Sequence, residues 1–171
     1  MTYSNVQNTT DTLGIGSRAP DFRLTAVNTN KTYSLAELIA DSPVILEFMR
    51  GTWCPNCRKR MSELEMLKDD IKSAGANLVY IAAEKRGGMW NPEKFFESHP
   101  ITYPFLLDED REVIKAYGLY HRIAVDALDI AHPATVIVDR EGRVRYIYKS
   151  HTQSDRSPMG EIFNALERLK A

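Results

Sequence analysis

Trp53-Cys54-Pro55-Asn56-Cys57 follows the apolar run Pro43-Val44-Ile45-Leu46-Glu47-Phe48-Met49 and opens a stretch with helical spacing that extends to about Ala74. Cys54 and Cys57 are the only cysteines in 171 residues. Positions i and i+3 of a helix share a face, so the two sulfurs can meet. The first helical turn leaves backbone N–H groups unpaired and carries partial positive charge, which favours a thiolate. The thiolate, not the thiol, is the nucleophile. Two thiols so spaced at a strand-to-helix junction are what dithiol–disulfide chemistry requires.

The elements around this stretch set the fold class. Residues 44–49 read as a central strand covered on both faces, because the run is continuously apolar apart from Glu47. Met61, Leu64, Leu67 and Ile71 recur at helical spacing, and Gly75 stops the helix. Residues 76–83 form a second buried strand, which completes a βαβ unit with parallel strands and a right-handed crossover. Upstream, residues 21–24 and Thr32-Tyr33 pair about a turn at residues 28–31, and Ser34-Leu35-Ala36-Glu37 is a capping box that starts a short helix. Downstream come a loop at residues 84–90 and a helix from the Asn91-Pro92-Glu93 start to about Ser98. A short strand within residues 103–107 follows, then a short helix over residues 110–117 stopped by Gly118. Residues 119–132 show no clear period. Residues 134–138 and 143–148 form an antiparallel hairpin about a turn at residues 139–142, and Ser157-Pro158 caps a last helix with Met159, Ile162, Phe163, Leu166 and Leu169 on one face. The class is α/β: a central mixed β-sheet of four or five strands flanked by helices on both faces. Residues 1–12 read as a flexible leader and residues 13–171 as a single domain.

Composition excludes several functions. The net charge of −1 makes no electrostatic case for nucleic acid or for a membrane surface. No apolar run approaches the roughly 20 residues needed to span a bilayer. The N-terminus is polar, without the basic start and apolar core of a secretory signal, so a cytoplasmic, reducing compartment is expected. There a CxxC pair is catalytic or metal-binding more often than a structural staple. A structural zinc needs further ligands, and the four histidines have no paired spacing, so no metal is expected. With no glycine-rich phosphate motif, no flavin, haem or nucleotide cofactor is expected either.

Arg18-Ala19-Pro20-Asp21-Phe22, Arg50-Gly51-Thr52-Trp53-Cys54-Pro55-Asn56-Cys57 and Pro133-Ala134-Thr135-Val136-Ile137-Val138-Asp139 with Glu141-Gly142 together resemble the thioredoxin-like redoxins. More narrowly, they resemble the alkyl hydroperoxide reductase/thiol-specific antioxidant (peroxiredoxin-like) branch, from about Gly14 to the C-terminus. The resemblance implies a thioredoxin-like fold, with Pro133 in cis and lying against the CxxC sulfurs. It also implies one of two chemistries. The peroxide-reducing site resembles Pro-x-x-x-Thr/Ser-x-x-Cys with an Arg from a later strand. Here Gly51 stands at the Thr/Ser position and Pro133 at the Arg position. Thr52, Arg50 or Arg122 are the available substitutes for those polarising groups. The Pro133 position matches the dithiol oxidoreductases better, so the chain reads as a peroxiredoxin-like frame with a thioredoxin-like site.

Cys54, the N-terminal and more exposed cysteine, is then the nucleophile, and Cys57 attacks the mixed disulfide or sulfenate to leave a Cys54–Cys57 disulfide. Pro55 fits the first helical turn. Arg58 adds positive charge near the thiolate, whereas Lys59 and Arg60 read as solvated. Glu47, an acid in an apolar strand, has two readings: a general base toward Cys57 with a carboxyl pKa raised by burial, or a member of an ion pair. Trp53 shields the sulfurs or belongs to the core, and His132 beside Pro133 faces the site or is structural. The leading expectation is a thiol–disulfide oxidoreductase acting on a protein or small-molecule disulfide, with electrons from a thioredoxin-type or similar thiol donor. The alternatives are a thiol-dependent peroxidase with Cys54 peroxidatic and Cys57 resolving, and a redox-sensing binding module. A homodimer is compatible with all three.

Overall fold

The structure, a computed structural model, describes residues 9–124, 128–152 and 154–170. In chain order its elements are β1 (Arg23–Thr25), β2 (Thr32–Ser34), α1 (Leu35–Leu38), β3 (Val44–Met49), α2 (Pro55–Met66), α3 (Lys68–Ser73), β4 (Asn77–Ala82) and α4 (Pro92–Ser98). There follow β5 (Phe105–Leu107), α5 (Glu112–Ala116), β6 (Tyr120–Ile123), β7 (Leu128–Ala131), β8 (Ala134–Val138), β9 (Val144–Lys149) and α6 (Met159–Leu169). Among these residues the main sheet has the strand order β5-β4-β3-β8-β9. β3 pairs in parallel with β4, and β4 with β5, while β8 runs antiparallel to both β3 and β9. The sheet is therefore mixed, as the βαβ unit and the late hairpin require.

Alternation along the strands divides the core. Val44, Leu46 and Phe48 face a cluster with Phe22, Leu35, Leu38, Ile114 and Tyr117, contributed by the N-terminal segment, α1 and α5. Ile45 and Met49 face the other cluster, built with Cys57, Met61 and Leu64 of α2, Ile71 of α3, Phe96 of α4 and Ile162 and Leu166 of α6. Helices thus cover both faces, and the cysteines belong to the second.

Three local expectations need correction. The long helix is broken at Leu67, which ends α2 and begins α3; its N–H reaches the carbonyl of Leu64, a tightened turn with no glycine or proline to announce it. Residues 119–132 contain the β6–β7 hairpin, whose strands are half-exposed and so lack the alternation that marks a strand with one buried face. Ser157 does not cap α6; Pro158 is the N-cap, with no side-chain bond, and the Ser157 hydroxyl serves the site described below. The Ser34 capping box forms as expected, with Ser34 Oγ accepting from the Glu37 N–H.

Residues 1–8 of the expected leader lie outside the described residues. Thr12 Oγ1 donates to the Ala116 carbonyl at 2.8 Å, and the Asp11 N–H donates to the Gly118 carbonyl at 3.4 Å. Gly118 has φ +71°, and a Cβ there would meet Thr10 Oγ1 at 2.7 Å, so both the turn and the close approach demand glycine.

Candidate active site

β3 and β4 end side by side at the Met49–Ala82 pairing, and the chain leaving each carries the site. The carboxyl ends of parallel strands are where open α/β sheets place function. After Met49 the chain turns through Arg50, Gly51 and Thr52. Cys54 is the N-cap of α2, with extended φ −85° and ψ 119°, and Pro55 occupies the first helical position, where its missing N–H has no partner to lose. Pro55 itself is exposed.

Both cysteines are free thiols and both are buried, Cys54 at 1% exposure and Cys57 at 0%. The expected solvent exposure of Cys54 is corrected by Arg50. Its guanidinium stacks on the Trp53 ring, 4.8 Å from the centroid, and its Nη1 donates to Cys54 Sγ at 3.8 Å. A hydrogen bond from the Cys57 thiol lowers the Cys54 pKa from 9.0 to about 5, helped by the Cys57 N–H and the Arg50 charge and opposed by burial. Cys57 moves the other way: its proton is held on Cys54, burial penalises its thiolate, and the Cys54 charge repels it. Arg156 Nη2, 3.7 Å from Cys57 Sγ, offsets part of this.

Glu84, two residues past the end of β4, fixes the loop before Cys54. Its Oε2 accepts from the Thr52 hydroxyl at 2.9 Å, and its Oε1 accepts from the Thr52 N–H. Burial pushes the Glu84 carboxyl up, against the lowering effect of these two bonds. Thr52, 1% exposed, therefore turns its hydroxyl to Glu84. A Cβ on Gly51 would collide with Trp53 Nε1 and lie 2.7 Å from Glu84 Oε1. The position that holds Thr or Ser in the peroxide-reducing pattern is thus filled here by the indole and the carboxylate.

Glu47 lies on the same sheet face as the cysteines and is 1% exposed. Arg60 Nε donates to its Oε1 at 2.9 Å and the Thr135 hydroxyl to its Oε2 at 2.7 Å. Arg60 also donates to the Ser157 carbonyl at 2.9 Å and hydroxyl at 2.8 Å. Arg60 is 3% exposed, not solvated, because it stands three residues past Cys57 and shares its buried face. The geometry is that of the ion-pair reading of Glu47.

His132 is half-buried, and burial, then Lys149 and His121, pull its pKa down to about 4. Pro133 is buried, and no cis peptide bond occurs among the described residues, so the expected cis geometry at Pro133 is corrected to trans. Pro133 and His132 line a cavity of about 280 Å³ together with Arg50, which joins them to Cys54. Arg122 is exposed on β6. No group of three or more metal-ligating side chains occurs among the described residues. Sequence reasoning misses Glu84, Arg156, Thr135 and Ser157 as members of the site. The one available signal is positional, since Glu84 directly follows the second central strand.

A sequence profile of the AhpC/TSA family matches residues 15–147. Thiol-disulfide oxidoreductase ResA of Geobacillus thermodenitrificans is 29% identical over 145 residues, covering 85% of this chain and 75% of that one. A Mycobacterium tuberculosis protein provisionally named a peroxiredoxin is 31% identical over 134 residues, covering 75% of this chain and 80% of that one. Among solved structures, peroxidoxin BcpB of Mycobacterium tuberculosis superposes with a TM-score of 0.73 at 23% identity, covering 91% of this chain and 96% of that one. That likeness shows the fold, the expected thioredoxin-like α/β architecture.

Proposed function

The chain belongs to the AhpC/TSA family, and we propose that it is a thiol–disulfide oxidoreductase cycling between the Cys54/Cys57 dithiol and an intramolecular disulfide. The observation that carries this reading is the placement of two free thiols at the mouth of α2, Cys54 as its N-cap and Cys57 in its first turn, with Arg50 Nη1 3.8 Å from Cys54 Sγ; a hydrogen bond from the Cys57 thiol then favours the Cys54 thiolate. The Cys54 thiolate attacks one sulfur of a substrate disulfide, forming a mixed disulfide and expelling the first substrate thiolate. Cys57 gives up its proton and attacks Cys54 Sγ, expelling the second substrate thiolate and leaving the Cys54–Cys57 bond. A thiol donor, in this reading a thioredoxin-type protein, returns the pair to the dithiol. The cycle suits a reducing compartment such as the cytoplasm. No helix among the described residues is long and apolar enough to cross a membrane.

Trp53 and Arg50 shield the thiolate, Glu84 positions the loop through Thr52, and Pro133 with His132 borders the approach. Glu47 holds Arg60 in the frame rather than moving the Cys57 proton. In Glu47→Gln the pH profile of disulfide reduction keeps its shape while stability falls; a displaced profile assigns proton transfer to Glu47 instead.

The test of the cycle is trapping. Cys57→Ser accumulates a mixed disulfide with a model disulfide, seen by mass, whereas Cys54→Ser forms none. Accumulation on Cys54→Ser, or on neither variant, overturns the assignment. The peroxidase reading has its own supporting observation, the Arg50 guanidinium on Cys54 Sγ, which can polarise a peroxide as well as hold a thiolate. The filled Gly51 position weighs against it. Stopped-flow oxidation of Cys54 by hydrogen peroxide at the rate of a free thiol supports the disulfide reading; fast oxidation supports the peroxidase.

A further inference from the structure

Each sulfur of the pair has a guanidinium beside it. Arg50 Nη1 lies 3.8 Å from Cys54 Sγ, and Arg156 Nη2 lies 3.7 Å from Cys57 Sγ. The second contact comes from the segment between β9 and α6, 99 residues away along the chain. That segment is tied on both sides of Arg156. The Ser150 hydroxyl donates to the Asp155 carbonyl at 2.5 Å, and the His151 N–H donates to the Asp155 carboxylate at 2.9 Å. On the other side the Ser157 hydroxyl accepts from Arg60 at 2.8 Å. Arg156 Nη1 donates to the same Asp155 carbonyl at 2.7 Å, so the side chain is held against Cys57 while keeping its other contacts.

Cys57 has to be a thiolate in the second half of the cycle, and its surroundings change at that point. In the reduced protein three influences oppose its ionisation: its hydrogen bond to Cys54, burial and the Cys54 charge. Once Cys54 is joined to substrate it carries no charge and no longer draws the Cys57 proton as an anion. Burial then remains against the Cys57 thiolate, and the Arg156 charge remains in its favour. The ionisable groups of the other elements packed around Cys57 have partners of their own. Glu47 of β3 accepts from Arg60 and Thr135. On β9 the Tyr146 hydroxyl donates to Glu161 of α6 at 2.8 Å, and the Tyr148 hydroxyl donates to Asp155 at 2.6 Å. A hydrogen bond from a cationic donor to an ionised acceptor is the strong kind, and burial away from water strengthens it.

We propose that Arg156 is the catalytic residue of the resolving step, its guanidinium holding Cys57 Sγ as the attacking thiolate once Cys54 is bound in the mixed disulfide. The proposal rests on the disulfide reading above and assigns a residue to its second step. The Cys57 S–H bond breaks and its proton passes through solvent to the departing substrate sulfur. The Cys57 Sγ–Cys54 Sγ bond forms, and the bond from Cys54 to the substrate breaks with its electron pair on the substrate sulfur. The products are the enzyme disulfide and a substrate thiol, and Arg156 stays protonated throughout.

The experiment mixes the reduced protein with one equivalent of dithiodipyridine, a neutral disulfide that releases a coloured thiopyridone at each step. The first release reports attack by Cys54 and the second reports attack by Cys57. In Arg156→Gln the ratio of the second rate constant to the first falls about tenfold, the effect of one charge-assisted hydrogen bond, and the mixed disulfide is seen by mass between the two releases. In Arg156→Lys, which keeps a cation, most of the ratio returns. Thiolate absorbance reads the cause directly. In Cys54→Ser, Cys57 titrates about one pH unit lower than in Cys54→Ser combined with Arg156→Gln, the same tenfold expressed as a pKa. An unchanged ratio in Arg156→Gln, a lysine variant as slow as the glutamine one, or identical Cys57 titration in the two Cys54→Ser proteins overturns the proposal and leaves the disulfide reading standing. No release of thiopyridone by the unmodified protein overturns the disulfide reading and the proposal together.

Discussion

Cys54 and Cys57 lie three residues apart and titrate in opposite directions. Cys54 is brought down to about 5 by the proton that Cys57 shares with it, and Cys57 is raised by the same bond and by burial. Reduction of the disulfide near neutrality therefore takes up one proton per two electrons. The midpoint potential falls by about 30 mV per pH unit between about pH 6 and pH 8, steepening to about 59 mV below pH 5, where Cys54 is also protonated. Redox titration across that range checks it; a uniform 59 mV slope would mean that neither thiol is ionised. Alkylation of Cys54 follows the same ionisation, level above about pH 6 and falling as pH drops through 5. Gly51 carries a second prediction at this scale. In Gly51→Ala the methyl group meets Trp53 and Glu84 Oε1, and overpacking of this kind costs about 1–3 kcal/mol. Urea unfolding of that variant measures the loss. Its peroxide rate does not rise, since the alanine supplies no hydroxyl.

At the scale of elements, the Glu47–Arg60 pair ties β3 to α2, and its bonds to Thr135 and Ser157 add β8 and the approach to α6. Removing one partner from a buried pair leaves an uncompensated charge, so Arg60→Met costs about 3–5 kcal/mol by denaturant unfolding, and Glu47→Met together with Arg60→Met costs less than either alone. A single-variant loss within error of zero would show the pair to be dispensable. This network also marks what the sequence can disclose. Val44–Met49, Asn77–Ala82 and Ala134–Val138 are legible because burial on both faces leaves runs that are apolar but for Glu47, Asn77 and Thr135. Cys54 and Cys57 are legible because the pair defines its own geometry at a helix start. Arg60 reads, with Lys59, as a solvated cation, since only the packed α2 shows that its side of the helix is buried. Glu84 and Arg156 reach the site from the loop after β4 and the segment before α6, contacts that no local pattern encodes. The β6–β7 hairpin escapes because half-exposed strands need no alternation.

Across the whole molecule, the thiolate couples redox state to folding. Cys54 has a folded pKa of about 5 against 9.0 for an ordinary thiol. A depressed acid stabilises the folded state fully above its unfolded value, and the contribution is lost as pH falls through its folded value. Only the reduced protein has this thiolate. Each pH unit over which the folded chain ionises the thiol and the unfolded chain does not adds about 1.36 kcal/mol. Stability of the reduced form relative to the oxidised form therefore rises by about 2 kcal/mol between pH 5 and about pH 7, the first part of that interval being spent completing the ionisation. It continues to rise toward pH 9. Beyond that the raised Cys57 works in reverse, because an unfolded chain ionises a thiol that the folded one keeps protonated. Urea unfolding of the two forms at pH 5 and at about pH 7 isolates the effect, since all other titrating groups contribute to both forms and cancel in the difference. Parallel pH dependence of the two curves would show that Cys54 is not ionised in the fold, and the nucleophile would then need activation by its substrate. If the curves diverge as expected, the folded chain makes the Cys54–Cys57 bond progressively easier to reduce, relative to the unfolded chain, as pH rises from 5 toward 9. That shift eases the return to the dithiol on which each turnover of the proposed cycle depends.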